Sequence, residues 1–179
     1  MMTWPRLRPA TNADCEAVRS LVFTVLAEYH LKPDPACTDA DLHDIEESYF
    51  KRGGVFYVLE EKGGSIIGSY GLCPIADCGL RIVDLDPGTT MSQDTDAQSA
   101  TCELRKMYLH RDYRGRGLGK RLLEHALAEA RRLGFKRITL ETASVLKEVI
   151  RLYEAYGFKP YVPIHLSCRC DQAYRLELE

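Results

Sequence analysis

The sequence has no long apolar run. Leu21-Val22-Phe23 is broken by Thr24 after three residues, far short of the ~20 needed to cross a bilayer, so no membrane-spanning helix is expected. The opening Met1-Met2-Thr3-Trp4-Pro5-Arg6 lacks a charged segment followed by an apolar stretch and a small-residue cleavage site, so a secretory signal is not expected. There is no CxxC pair among the seven cysteines at 15, 37, 73, 78, 102, 168 and 170. Their odd number and scatter fit reduced thiols better than a disulfide framework, and a cytoplasmic location is expected. Charge of one sign is missing too. With 24 Lys+Arg against 26 Asp+Glu and a net charge of -2, bulk charge gives no footing for nucleic acid, and any polyanion must sit in a local basic patch. Internal repeats and low-complexity linkers are absent, so the 179 residues are expected to form one domain spanning 1–179.

What is present is an alternation of short strand-like and longer helix-like segments, the mark of an α/β chain. Leu7 and its neighbours read as a short extended start. Thr11 or Asn12 can cap a helix carrying Val18, Leu21, Val22, Val25 and Leu26 at helical spacing. A second, weaker helix is expected near Asp39 to Tyr49. Val55 to Leu59 and Ser65 to Tyr70 flank Lys62-Gly63-Gly64 and read as a hairpin. From Cys73 to Ser99 no periodicity holds, as expected of a surface insertion. Cys102 to Leu109 is a strand candidate. It is followed by a turn and a helix with Leu118, Leu122, Leu123, Ala126, Leu127, Ala130 and Leu133 on one face, closed by Gly134. A strand at Arg137 to Glu141, a helix from Val145 to Tyr156, and strands at Tyr161 to His165 and Ala173 to Leu178 complete the chain.

Chemistry concentrates at Arg114-Gly115-Arg116-Gly117-Leu118-Gly119. The turn lies between a strand and a helix start, where unpaired N–H groups and the helix dipole favour an anion. Seven basic residues fall between Arg105 and Arg121, with Asp112 the one acid. The spacing is RxxGxG, neither GxxxxGK[ST] nor GxGxxG. The bland alternative is a tight turn with a solvated basic face. Against it stands the order of strand, basic glycine turn, amphipathic helix and strand, followed by the YxxxGF segment Tyr153-Glu154-Ala155-Tyr156-Gly157-Phe158.

On these residues, Cys102 to Phe158 resembles the core of the GNAT superfamily of N-acetyltransferases. Arg6-Leu7-Arg8-Pro9-Ala10 with Asp14 resembles the family's opening strand and first helix. The resemblance implies a mixed α/β, α+β-like fold: a central, mostly antiparallel twisted sheet with a splayed parallel strand pair, flanked by about four helices. It implies acetyl-CoA as cosubstrate, its pantetheine arm lying between the strands at Cys102 to Leu109 and Arg137 to Glu141. Met107, Tyr108 and Leu109 with Arg114, Gly115, Arg116, Gly117, Leu118, Gly119 and Lys120 would hold it. One departure stands out: many members have an Asn seven residues before the YxxxGF tyrosine, where this chain has Leu146. Ser144 and Thr142 are candidates to replace it.

Acetyl transfer to an amine needs a neutral nucleophile, stabilisation of an oxyanion and a proton for the departing thiolate. Tyr153 matches the family's tyrosine and is expected as general acid, since a phenol of pKa ~10 keeps its proton at neutral pH. Its other reading is a core tyrosine. Glu103 resembles the residue that serves as base in some members, and its other reading is an ion-pair partner of a neighbouring arginine or lysine. Glu141 and His110 are reserves, and backbone N–H near Leu109 is the expected oxyanion donor. His165, Cys168 and Cys170 lack the usual metal-ligand spacing, and no metal is expected.

The family's acceptor pocket is walled by the first two helices with their connection and by the last strands. That connection carries six acids between Asp34 and Glu47 and no Lys or Arg. A cationic acceptor is expected from this tally, against the alternative of solvated acidic loops. The expected function is acetylation of a primary amine of a small molecule or peptide, with no nucleic-acid or membrane partner. A non-catalytic acetyl-CoA-binding regulatory module is the other function class, and a homodimer through the terminal strands is compatible with either.

Overall fold

The computed structural model describes residues 5–75 and 100–179. Among them seven strands form one sheet: β1 (Arg6–Pro9), β2 (Val55–Glu60), β3 (Ile66–Pro74), β4 (Thr101–Leu109), β5 (Arg137–Thr142), β6 (Lys159–Tyr161) and β7 (Gln172–Glu177). Their spatial order is β1-β2-β3-β4-β5-β7-β6. Every neighbouring pair is antiparallel except β4 and β5. The four described α-helices are α1 (Cys15–Glu28), α2 (Ile45–Ser48), α3 (Leu118–Arg132) and α4 (Lys147–Ala155).

The helical periodicity read in the sequence is the buried stripe of each long helix. Val18, Leu21, Val22, Val25 and Leu26 of α1 are buried, as are Leu118, Leu122, Leu123, Ala126, Leu127 and Ala130 of α3. Two cores result, one on each face of the sheet. Most of the α1 stripe packs with Leu42, Ile45 and Tyr49 against Phe56 and Val58. On the other face α3 packs with Tyr153 and Phe158 against Leu72, Leu104 and Ile138. Helix ends fall where the chain turns left-handed: at Gly134 (φ +85) after α3 and Gly157 (φ +88) after α4.

Three sequence expectations shift. The helix read near Asp39 to Tyr49 is broken into a 3-10 turn (Ala40–Leu42), the single turn α2 and a second 3-10 turn (Phe50–Arg52). Asp44 interrupts it in extended conformation, its side chain capping α2 by accepting from Glu47 N–H. The strand read from Tyr161 to His165 ends at Tyr161. Pro163 has no N–H to pair, and Val162 is 95% exposed beyond the short edge strand β6. Cys73 and Pro74, read as the start of the insertion, close β3. The remainder of that insertion, from residue 76, lies outside the described residues.

β4 and β5 pair only from Thr101 opposite Arg137 to Leu104 opposite Leu140. Beyond that point β4 continues along β3 to Leu109 opposite Gly68, and β5 continues along β7 to Thr142 opposite Gln172. The parallel pair therefore splays, leaving a gap in the middle of the sheet.

Candidate active site

The divergence has a local cause. Before it, the β3–β4 register sets Gly71 opposite Arg105; after it, Ser69 stands opposite Tyr108. One extra β4 residue fits into that interval, a β-bulge, and Lys106 takes it up with a left-handed φ of 52°. The bulge reverses the alternation of the strand. Cys102 and Leu104 pack towards α3, and past the bulge so do Met107 and Leu109, while Tyr108 packs on the α1 side. The backbone reverses too. Ile75 N–H donates to Thr101 O, so odd-numbered β4 residues face β3 before the bulge. Past it His110 N–H donates to Ile67 O (2.8 Å), so the even-numbered residues face β3. By the same alternation the N–H of Leu109 turns to the gap.

A cavity of about 640 Å³ occupies the gap and runs to the glycine turn. Of the residues singled out in the sequence, Glu103, Met107, Tyr108, Leu109, Arg114, Gly115, Gly117, Gly119, Lys120 and Tyr153 line it. Arg116 and Leu118 do not. Arg116 lies over the ring of Tyr113 (5.5 Å), and Leu118 is a core residue of α3. Gly115 (φ +72) and Gly117 (φ +77) are left-handed, and a Cβ built on either meets nothing within 4 Å. The turn is thus an open cradle of backbone. The N–H groups of Leu118, Gly119 and Lys120 begin α3 and by helix geometry have no carbonyl one turn back, which makes them donors for an anion.

Arg114 does something other than present its charge to the cradle. Its guanidinium donates to Leu109 O (3.0 Å) and Tyr29 OH (3.2 Å) and pairs with Glu28 (2.8 Å). It ties the turn to the end of β4 and to α1.

Tyr153 is both a core residue and a cavity residue. The ring packs against Phe158 in the core, and the hydroxyl reaches the cavity, donating to Met107 Sδ at 3.9 Å. Burial pushes its pKa above the usual tyrosine value, so it keeps its proton. Glu103 is likewise both a cavity residue and an ion-pair partner: Arg105 Nε donates to its Oε2 at 2.6 Å. Burial raises the Glu103 pKa, with Arg105 opposing and Glu141 adding to the rise. Glu141 also lines the cavity, its Oε2 accepting from Ser167 N–H (2.9 Å) and Oγ (2.5 Å). His110 lies outside the cavity wall, its Nδ1 accepting from Asp112 N–H (3.4 Å). At the family's Asn position Leu146 lines the cavity. Thr142 does too, whereas the Ser144 hydroxyl is committed to Asp171 (2.6 Å).

The acidic connection is mostly committed to internal partners. Asp39 is fully buried, accepting from Arg169 (2.7 and 2.6 Å) and Lys106 (2.8 Å). Burial acts to raise its pKa, but the bonds from Arg169, Asp34 N–H and Lys106 outweigh it and hold the carboxyl down to about 2. Asp34 accepts from Cys37 and Thr38, Asp44 from Glu47 N–H and Asn12, Glu46 from Asn12 N–H, and Glu47 pairs with Lys51. Asp41 alone of the six lines the cavity, holding Tyr49 OH (2.5 Å) and facing Lys106 (3.3 Å). The charge that suggested a cationic acceptor is largely neutralised within the protein.

Sequence reasoning missed Arg169 and read Arg105 and Lys106 only as members of the basic stretch and as neighbours of Glu103; all three are on the cavity wall. No local pattern marks them. Arg169 lies in an irregular connection, and Lys106 occupies a conformation usually left to glycine. Cys37, Cys168 and Cys170 also line the wall, and burial pushes the Cys170 thiol up to about 11. Among the described residues no group of three or more His, Cys, Asp or Glu is arranged to hold a metal, and no helix is long and apolar enough to cross a membrane.

The profile of the Acetyltransferase (GNAT) family matches residues 20–158. The chain is 35% identical over 166 residues to the uncharacterized N-acetyltransferase YjgM of Escherichia coli (strain K12), covering 92% of this chain and 87% of that one. It is 31% identical over 123 residues to the probable N-acetyltransferase family 8 member 5 of Mus musculus, covering 69% of this chain and 46% of that protein, so it spans about half of that relative. Among solved structures, a GNAT-family acetyltransferase from Staphylococcus aureus Mu50 superposes with a TM-score of 0.79 at 19% identity, covering 97% of this chain and 99% of that one. The Salmonella typhimurium protein yncA, solved with its cofactor acetyl-CoA, superposes with a TM-score of 0.66 at 26% identity, covering 99% and 95%.

Proposed function

The chain belongs to the GNAT family of acetyltransferases, and from that premise we propose that it transfers the acetyl group of acetyl-CoA to a primary amine of a small molecule or peptide. Glu103 is the general base and Tyr153 the general acid. The observation that carries this reading is the single cavity that joins the glycine turn, the gap between β4 and β5, and both of these side chains.

The residues present fit acetyl-CoA. Its pyrophosphate suits the open, left-handed backbone at Gly115 and Gly117 and the donors at the start of α3. Met107, Tyr108 and Leu109 border the gap for the pantetheine arm, and Lys120 adds positive charge at the turn. Arg114 acts as the brace of this cradle. When bound, acetyl-CoA supplies an activated acetyl thioester whose sulfur leaves as the CoA thiol.

The protein's own groups divide the remaining work. The Leu109 N–H is a fixed donor for a carbonyl oxygen in the gap, aligned by the bulge before any ligand arrives. Glu103, its pKa raised by burial, takes the proton of the incoming amine at a carboxylate oxygen, while Arg105 fixes the orientation of that carboxylate. Tyr153 delivers its hydroxyl proton to the departing sulfur and is protonated over the whole physiological range. Glu141, Asp41, Leu166 and Arg169 also line the cavity, and the acceptor amine is assigned to the space beside them.

Acetyl-CoA is expected to raise the melting temperature of the protein, because a ligand of the folded state stabilises it by mass action. Gly117→Val is expected to abolish that rise. A β-branched residue disfavours φ +77, at a cost of about 1–2 kcal/mol, while nothing crowds the new Cβ, so the fold survives. No shift in the wild-type protein at saturating acetyl-CoA overturns the assignment.

A further inference from the structure

Lys106 is a lysine held left-handed in the middle of a strand, where no turn requires it. Such a conformation persists only where its surroundings over-determine it. Here the surroundings are specific. The Lys106 carbonyl accepts from Ser69 Oγ (2.8 Å) across the bulge. Its ammonium donates to Thr38 O (2.7 Å) and Asp39 Oδ1 (2.8 Å), the two side chains being 5% and 0% exposed. Asp39 is itself immobilised, by two N–H groups of Arg169 and by Asp34 N–H (2.9 Å). One carboxylate therefore joins the connection after α1, the connection between β6 and β7, and the residue that shifts the β4 register.

We propose that Asp39 is a positioning residue: by anchoring Lys106 it holds the β4 bulge, and through the bulge it keeps the Leu109 N–H aimed into the strand gap. The proposal rests on the acetyl-transfer reading above and deepens it. Without the extra residue, the alternation set by Thr101 would turn the Leu109 N–H to β3 and exchange the faces of Tyr108 and Leu109. A buried ion pair that merely fastens loops together is often replaceable by well-packed apolar groups at little cost. A pair that holds a backbone conformation is replaceable only where the backbone accepts that conformation unaided.

The test compares two double variants, Asp39→Asn/Lys106→Met and Asp39→Asn/Lys106→Gly. Both remove the paired charges, but only glycine adopts a positive φ freely. Calorimetric affinities for acetyl-CoA and for CoA are measured beside turnover with one fixed primary amine. On this proposal the thioester carbonyl would meet the Leu109 N–H, so the wild-type protein is expected to bind acetyl-CoA more tightly than CoA. The methionine variant is expected to lose that preference and roughly 10²-fold in kcat, as for removal of one oxyanion donor, while retaining CoA affinity. The glycine variant is expected to recover both. A methionine variant that fails to fold beside a folded glycine variant also supports the proposal. Equal behaviour of the two variants, whether both active, both impaired or both unfolded, overturns it, as does a wild-type protein that binds the two CoA species equally. A wild-type protein that binds neither overturns the acetyltransferase reading itself.

Discussion

Tyr153 and Glu103 each combine a structural contact with a place on the cavity wall. The ring of Tyr153 fills the core while its hydroxyl enters the cavity, and Glu103 is ion-paired and yet borders the same space. Their place on the cavity wall was legible because each lies at a fixed offset within a recognisable segment. The orientation of Arg114 was not legible, since its partners Glu28 and Tyr29 lie at the end of α1 and just past it, far away in the chain. Two outcomes follow at this scale. The kcat profile is expected to rise with pH through one group titrating above the ordinary glutamate value, because Glu103 must lose its proton and burial raises its pKa. It should then stay level to about pH 10, the reference tyrosine value, since Tyr153 must keep its proton and its pKa lies higher still. Glu103→Gln should erase the acidic limb, and persistence of that limb would assign the base elsewhere. Arg114→Ala is expected to lower stability by about 1–3 kcal/mol, since Glu28, whose buried Oε1 already has no hydrogen-bond partner, would lose its cation. Arg116→Ala should stay within about 0.5 kcal/mol of the wild type, as its side chain is exposed. Denaturant melts giving the reverse order would make Arg116 the brace of the turn.

At the scale of elements, the segments with strong periodicity or glycine punctuation were read closely. The α3 stripe, its stop at Gly134 and the hairpin at Lys62-Gly63-Gly64 are local chemistry and need no tertiary partner. The partners of the acids in the connection after α1 were not legible because these acids look alike in sequence, whereas tertiary contacts sort them into a cap, a buried anchor and a cavity wall. The β4 bulge is invisible for a related reason: its extra residue is a lysine, held by groups 37 and 67 positions away. That anchor has a thermodynamic signature. The folded pKa of Asp39, about 2, lies below the unfolded carboxyl value of ~3.9. Its contribution to stability is therefore complete above about pH 4 and is lost as pH falls towards 2. Urea melts across that window should show a shallower loss of stability for Asp39→Asn than for the wild type. Identical slopes would mean that the pair does not ionise as the geometry implies.

At the scale of the whole molecule, the splayed parallel pair was expected from resemblance, and the register shows how it arises: β4 and β5 part after Leu104 and Leu140, each following its outer neighbour. What the sequence did not convey is that one buried carboxylate, Asp39, joins two distant connections, after α1 and between β6 and β7, to the Lys106 bulge of β4. Of the six acids behind the expected cationic acceptor, Asp41 alone lines the cavity. The central claim, amine acetylation, is tested most directly by following free CoA thiol while acetyl-CoA is presented with a panel of primary amines of differing charge, using the wild type and Tyr153→Phe. Amine-dependent thiol release is expected from the wild type, reduced roughly 10²-fold or more in Tyr153→Phe at unchanged acetyl-CoA affinity. Tight acetyl-CoA binding with no amine-dependent release across the panel would contradict it, and would make the protein a binding module rather than an enzyme.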